Sequence, residues 1–368
     1  MPRLMATLLA ALAVGLPGCS RTGETPPVLP APPVDVAPTP ADPKDTSAID
    51  LPASWQLLFV RFPDVWIANG DGTGQRLLIE DAEAPAWSPD HEQIAFFRGG
   101  NVWVADADGG NQRQLTSRWT EGNDEGRRFA DAMRISWDPQ APRMTFSHYE
   151  QSQVRPAGAE ADAIIEGTAI FDVMLDSPTG ELRCHFDLCE DNAYYAFGGN
   201  CCPAWSPTGD HLAFARNGDV WLAGPRAAGE ERPAAGRPGM STWTWAWSFY
   251  RLAAVADYDG ATDHASRWGV GTTRLSWSPD GTMLACGLHR LGGSGWEEVR
   301  ILELTEDAPR HDLGVAREWT LTEAGSDPCF SPDGRYIAFA DTMGVLVLPV
   351  EGNITPRRLI EDAHQPAW

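Results

Sequence analysis

The sequence predicts an all-β fold, a β-propeller of four-stranded blades closed by pairing of its N- and C-terminal segments. Six blades are favoured, with seven left open. Three observations carry this. A Trp-Ser-Pro-Asp signature recurs along the chain, and each intact copy leads into short β-rich runs. In addition, "RLLIEDAEAPAW" (Arg76 to Trp87) returns as "RRLIEDAHQPAW" (Arg357 to Trp368), with nine of twelve positions identical.

The signature series is "PAWSPD" at Pro85, "ISWDPQ" at Ile135, "PAWSPTGD" at Pro203, "LSWSPDG" at Leu275, "PCFSPDG" at Pro328 and a truncated "PAW" at Pro366. Its anchors are Trp87, Trp137, Trp205, Trp277, Phe330 and Trp368. A first apolar run follows each intact copy ("QIAFFR", "RMTFSH", "HLAFAR", "TMLACGL", "YIAFAD"), then a second ("NVWVADADG", "AIFDVMLDS", "DVWLAG", "EVRILEL", "GVLVLPV"). The better copies close with a third, "RQLT" or "RRLI". Four short strands separated by turns make one antiparallel sheet. Proline in "SPDG" presets φ for a turn corner, aspartate bonds its own backbone, and glycine tolerates the left-handed exit. Alternation in "VWVAD" and "VWIAN" sends tryptophan to one face, where a neighbouring sheet can cover it.

One such sheet cannot bury both faces, whereas a radial stack of them does. Residues 55–81 supply the later strands of a blade without its opening strand, and the C-terminus supplies that strand alone. Pairing the two completes a blade and leaves no open edge. The stretch "TWAWSFYRLAAVADYDG" (Thr244 to Gly260) echoes the signature, but Trp247 as a seventh anchor leaves 30 residues before Trp277, where the most regular copy uses 38. Six blades therefore fit better.

These units, close to "PAWSPDG" followed by "IAF", "DVWVADADG" and "RRLT", resemble the WD40-like (PD40) repeats of the TolB-type propellers over nearly the whole chain after Trp55. The resemblance implies the propeller fold. Because TolB binds the peptidoglycan-associated lipoprotein through its propeller, it also implies a non-catalytic, protein-binding role at the cell envelope. The chain departs from those proteins in having a proline-rich segment where they carry an α/β domain.

Residues 1–18 read as a leader, with Arg3 followed by an apolar run from Leu4 to Leu16 too short to span a bilayer comfortably. "LPGCS" resembles the lipobox of bacterial lipoproteins, with Cys19 as the lipidated residue, and Ser20 after it resembles lipoproteins sorted to an outer membrane. The expected location is the outer membrane or cell surface, facing the periplasm or the exterior. Residues 19–53 form a tether: from Ser20 to Ala53, nine of 34 residues are proline, so an extended chain at about 3.1 Å per residue reaches on the order of 100 Å. The propeller occupies residues 54–368, with insertions near 150–168 and 239–273.

Removing Arg3 with the leader leaves 27 of the 28 basic residues against 51 acidic ones. Nucleic acid, which needs a basic face, is excluded as a partner. Lys44 is the one lysine and lies in the tether, so lysine chemistry is excluded from the domain. "GGSGW" and "GMSTW" lack the second glycine of a nucleophile elbow, and no H-E-x-x-H, P-loop or dinucleotide fingerprint occurs. The expectation is no catalytic residue, no cofactor and no metal. "DADGGN" and "NGDGTG" start like calcium loops but lack the closing acid and read as hairpin turns.

Cys184, Cys189, Cys201 and Cys202 crowd into nineteen residues, and export favours two local disulfides of undetermined pairing. Cys286 and Cys329 lie in strand-like runs and read as buried thiols. Insertions in propellers project from a rim and carry function. The aromatic stretch "STWTWAWSFY" therefore offers Trp243, Trp245, Trp247 and Tyr250, with Trp268 beyond, as candidate binding residues if they are not core. The leading function is a monomeric scaffold binding an envelope protein or peptide. The alternative is a carbohydrate- or peptide-binding, even hydrolytic, propeller using its channel or the Trp-rich insertion. For the anchor, Cys19→Ala is expected to abolish palmitate labelling and release a soluble, exported chain; a variant still labelled and membrane-bound contradicts the lipobox.

Overall fold

Each signature copy becomes the innermost strand of a blade, because its Trp-Ser-Pro-Asp turn reverses the chain into the next strand of the same sheet. The structure, a computed structural model, describes residues 49–117, 134–154, 163–176, 182–186, 200–216, 219–225, 247–253, 270–290, 297–307, 312–352 and 354–368. The leader, Cys19 and the tether as far as residue 48 lie outside these residues, as do Cys189, Trp243, Trp245 and Trp268.

The described residues form 24 strands and no helix. Blade 1 takes β1 (Gln56–Arg61), β2 (Asp64–Asn69) and β3 (Arg76–Ile79). Blade 2 is β4 (Glu83–Trp87), β5 (Gln93–Arg98), β6 (Asn101–Asp106) and β7 (Arg113–Gln114). Blade 3 is β8 (Arg134–Trp137), β9 (Arg143–Val154), β10 (Ala163–Met174) and β11 (Leu182–Phe186). Blade 4 is β12 (Asn200–Trp205), β13 (Leu212–Arg216), β14 (Asp219–Pro225) and β15 (Trp247–Ala253). Blade 5 is β16 (Val270–Trp277), β17 (Met283–Arg290), β18 (Glu297–Asp307) and β19 (Asp312–Thr322). Blade 6 is β20 (Ser326–Phe330), β21 (Tyr336–Asp341), β22 (Gly344–Pro349) and β23 (Arg357–Glu361).

The last strand, β24 (His364–Ala367), returns to blade 1 and pairs antiparallel with β1, Leu58 opposite Ala367 and Val60 opposite His364. Six four-stranded antiparallel sheets result, and the terminal segments close the ring. Seven blades are thereby excluded. The segment that echoed the signature at Trp247 is instead β15, the outer strand of blade 4, paired along β14. Part of the segment near 150–168 extends the β9–β10 hairpin to twelve residues a side.

The core is divided among the six interfaces between blades. Leu58, Val60 and Ile67 of blade 1 meet Trp87, Ile94 and Phe96 of blade 2. Leu57 and Phe59, on the opposite face of the same strand, meet Cys329, Ala338 and Val345 of blade 6. Four further clusters join blades 2 and 3, 3 and 4, 4 and 5, and 5 and 6. The lead-in also packs: Ile49 and Leu51 lie against Tyr336 and Val347, and Trp55 meets Trp368 edge to face at 5.7 Å between ring centroids.

The turns repeat one hydrogen-bond pattern. Ser88, Ser278 and Ser331 donate to Asp90, Asp280 and Asp333 at 2.5, 2.6 and 2.7 Å, and each serine Oγ accepts the N–H five residues on. Blade 4 keeps the pattern through Asp210, with Ser206 and Thr208 donating. In blade 3 Asp138 replaces the serine and takes Arg143 Nε at 2.6 Å, while the Arg143 guanidinium also reaches Asp172 at 3.5 Å and lies 4.9 Å over the Trp205 ring.

The bond from Ser88 holds the Asp90 carboxyl below its ordinary 3.8. Burial pushes Asp210, Asp280 and Asp333 up, but the donated hydrogen bonds outweigh it and these too are lowered. A carboxyl lowered by folding stabilises the fold above its unfolded value, and that contribution is lost as pH falls through the folded value. Unfolding temperature should therefore fall as pH drops below about 4, and Asp280→Asn with Asp333→Asn should reduce that fall. Deleting Pro366 to Trp368 removes half of β24 together with Trp368 and should lower the unfolding temperature of the whole domain; unchanged unfolding contradicts closure by the termini.

Candidate functional site

Six inner strands converge on the axis, and one position in each, three residues before the aromatic anchor, forms a ring across the channel. The ring is Gln365 (blade 1), Ala84, Arg134, Cys202, Arg274 and Asp327 (blade 6). In the four blades reading x-Pro-(Ala/Cys)-(Trp/Phe), this residue precedes proline, which disfavours the right-handed helical region. It adopts the left-handed one instead, with φ of 51° at Gln365, 49° at Ala84, 55° at Cys202 and 53° at Asp327. The strand pairing shifts there, a bulge that re-aims the side chain. Blades 3 and 5 read Arg-Ile-Ser-Trp and Arg-Leu-Ser-Trp, with no proline, and Ser136 and Ser276 accept the backbone N–H of Trp205 and Phe330 in the next blade.

The ring is tied across the axis. Arg134 Nη2 meets Asp327 Oδ1 at 2.5 Å, joining the opposite blades 3 and 6, with the side chains only 7% and 10% exposed. Arg274 Nη1 donates to the carbonyl of Pro366 at 2.6 Å, and Gln365 Oε1 accepts the Ala84 N–H at 2.8 Å. Gln365 and Ala84 are equivalent positions of the two copies of the repeated segment, so those copies touch.

Above this floor opens a funnel of about 450 Å³. The aromatic anchors and Pro89, Pro139, Pro207 and Pro279 wall it, and Arg134 and Arg274 lie at its base. Its lining includes these two arginines and His91 but no aspartate or glutamate. Burial lowers the hold of the Arg274 guanidinium on its proton, with the Cys329 and Asp327 side chains opposing that loss. Burial raises the Cys329 thiol to about 11, so it is neutral. His91, stacked on Trp87 at 5.2 Å, is shifted down by burial despite Asp90.

The sequence candidates fall elsewhere. Trp247 and Tyr250 lie on β15, the strand of blade 4 farthest from the channel. Cys184 lies on β11, the outer strand of blade 3. Cys201 and Cys202 lie next to each other on β12, with the Cys202 thiol donating to Cys201 Sγ at 3.4 Å and no disulfide between them. Cys286 and Cys329 are buried free thiols. Among the described residues no group of three His, Cys, Asp or Glu side chains could hold a metal. Arg134, Arg274 and Asp327 escaped sequence reasoning. Aligning the six signatures on their anchors and reading the variable column three residues earlier would have found them.

Fold and channel define a six-bladed β-propeller. No protein-family model matches the chain, and no curated protein does. Solved structures similar to it include TolB from Acinetobacter baumannii, 18% identical, covering 86% of this chain and 67% of that one at a TM-score of 0.53. A chain of the nidogen/laminin complex is 10% identical, covering 85% and 97% at 0.49, and the tricorn protease is 8% identical, covering 85% and 35% at 0.47. At these identities the likeness is one of fold.

Asp327 has Arg134 as its ion-pair partner, so Arg134→Met strands a buried carboxylate and should cost about 3–5 kcal/mol in urea unfolding. Arg134→Met with Asp327→Leu should recover much of that loss.

Proposed function

We propose that the chain is a non-catalytic scaffold of the bacterial cell envelope, held to the outer membrane by lipid on Cys19, that binds a segment of a protein partner in the mouth of its channel. The observation that supports this most is the funnel itself, a concave site that combines aromatic and proline side chains with serine, histidine and arginine groups able to fix a ligand's orientation. Prolines 89, 207 and 279 stand exposed at its rim, where an extended chain can lie against them. A glycan would need free aromatic faces, and Trp87, Trp137 and Trp277 are each only 8% exposed, which favours peptide over sugar.

A photo-crosslinking residue at Pro279 tests this against the same residue at Leu77, 40% exposed on the outer strand of blade 1. In envelope preparations a discrete protein adduct is expected from position 279 and not from 77. Adducts from both alike, from 77 alone, or from neither contradict the reading.

A further inference from the structure

Arg274 is a half-buried cation with an incomplete set of partners. Among the described residues its one hydrogen bond is from Nη1 to the Pro366 carbonyl, a neutral acceptor, and it forms no salt bridge. The remaining guanidinium N–H groups have no acceptor among those residues, none of their nitrogens is sealed away, and Arg274 lines the funnel. The carboxylate that shares this floor, Asp327, is drawn to Arg134 at 2.5 Å. Enclosing a charge without a counter-ion is costly, and a planar guanidinium with free N–H groups matches a carboxylate bidentately. Charge across the chain sharpens the point. Acidic residues outnumber basic ones 51 to 28, yet the lining of this cavity carries arginine and no aspartate or glutamate.

We propose that the base of the channel is a carboxylate-binding site anchored by the Arg274 guanidinium. The Trp and Pro walls exclude water around the pair, which strengthens it. The carboxylate reaches the site either on a small free acid or at the C-terminal end of a peptide. The inference rests on the channel being the docking site of the scaffold. It is nevertheless tested separately, because it concerns the isolated chain and a defined ligand.

The test is calorimetric titration of the full chain at constant ionic strength, with chloride as the control anion. The probes are glutarate, N-acetyl-trialanine with a free C-terminal carboxylate, and the same tripeptide amidated. Binding of a carboxylate probe and none of the amide is expected. Response to both carboxylates assigns the site to small acids in general, and response to the tripeptide alone assigns it to chain ends. Arg274→Gln should weaken binding about tenfold or more, and Arg274→Lys, which keeps the charge but loses the fork, should fall between. Should Arg274→Gln fail to fold, the Arg274 Nε–H resonance of the unmutated chain is followed instead, and it should shift on adding the bound probe. No carboxylate binding beyond the chloride control, equal binding of the amide, full affinity in Arg274→Gln, or an unmoved Arg274 resonance overturns the proposal. Crosslinking at position 279 that persists without carboxylate binding would leave the scaffold reading standing while this one falls.

Discussion

A four-stranded blade is apolar on both faces, and only its neighbours can cover them. Strand β1 shows the constraint within six residues, since Leu58 and Val60 pack on blade 2 while Leu57 and Phe59 pack on blade 6. A blade with one neighbour missing would leave an apolar face in water, which favours a closed stack. Closure places the seam inside a blade, where β24 and β1 share a hydrogen-bonded ladder, and leaves the seam no weaker in kind than any other strand pair. The Trp-Ser-Pro-Asp turns follow from the same demand. Each brings an aromatic to a blade interface and spends serine and aspartate on the backbone groups that the reversal would otherwise leave unpaired.

Radial closure also creates the axis, where the six inner strands leave a channel that side chains must cross to meet. Four blades present their ring residue on a bulge before proline, and the other two present Arg134 and Arg274. The Arg134 to Asp327 pair spans the axis and gives the channel a floor. Above it the walls are aromatic and proline, and Arg274 belongs to the same lining. The structural plug and the candidate binding site are thus made by one ring of residues.

The regular part of this was legible in the sequence, because the physical requirements repeat with each blade: an aromatic for the interface, proline and aspartate for the turn, alternating apolar residues for two buried faces. The terminal seam was legible for the same reason, as a blade split between residues 55–81 and the last "PAW". The channel floor was not. Its ring position holds Gln, Ala, Arg, Cys, Arg and Asp, a column without a common residue type, and Arg134 and Asp327 are 193 residues apart. Their pairing depends on blade count and on which blades face one another. Trp247 imitates an anchor in an aromatic-rich strand near "RLAAV"; its spacing already spoke against a seventh blade, and the ladder it joins on β14 decides its place.

The central claim is that the blades stand or fall as one ring closed between β24 and β1. Native-state hydrogen exchange measures this directly. The account predicts that the slowest amides of β1 and β24 exchange with the same opening free energy and denaturant dependence as those of β5, β13 and β21, through a single global event. Exchange of blade 1 through a smaller, separate opening, while the other blades stay protected, would contradict it.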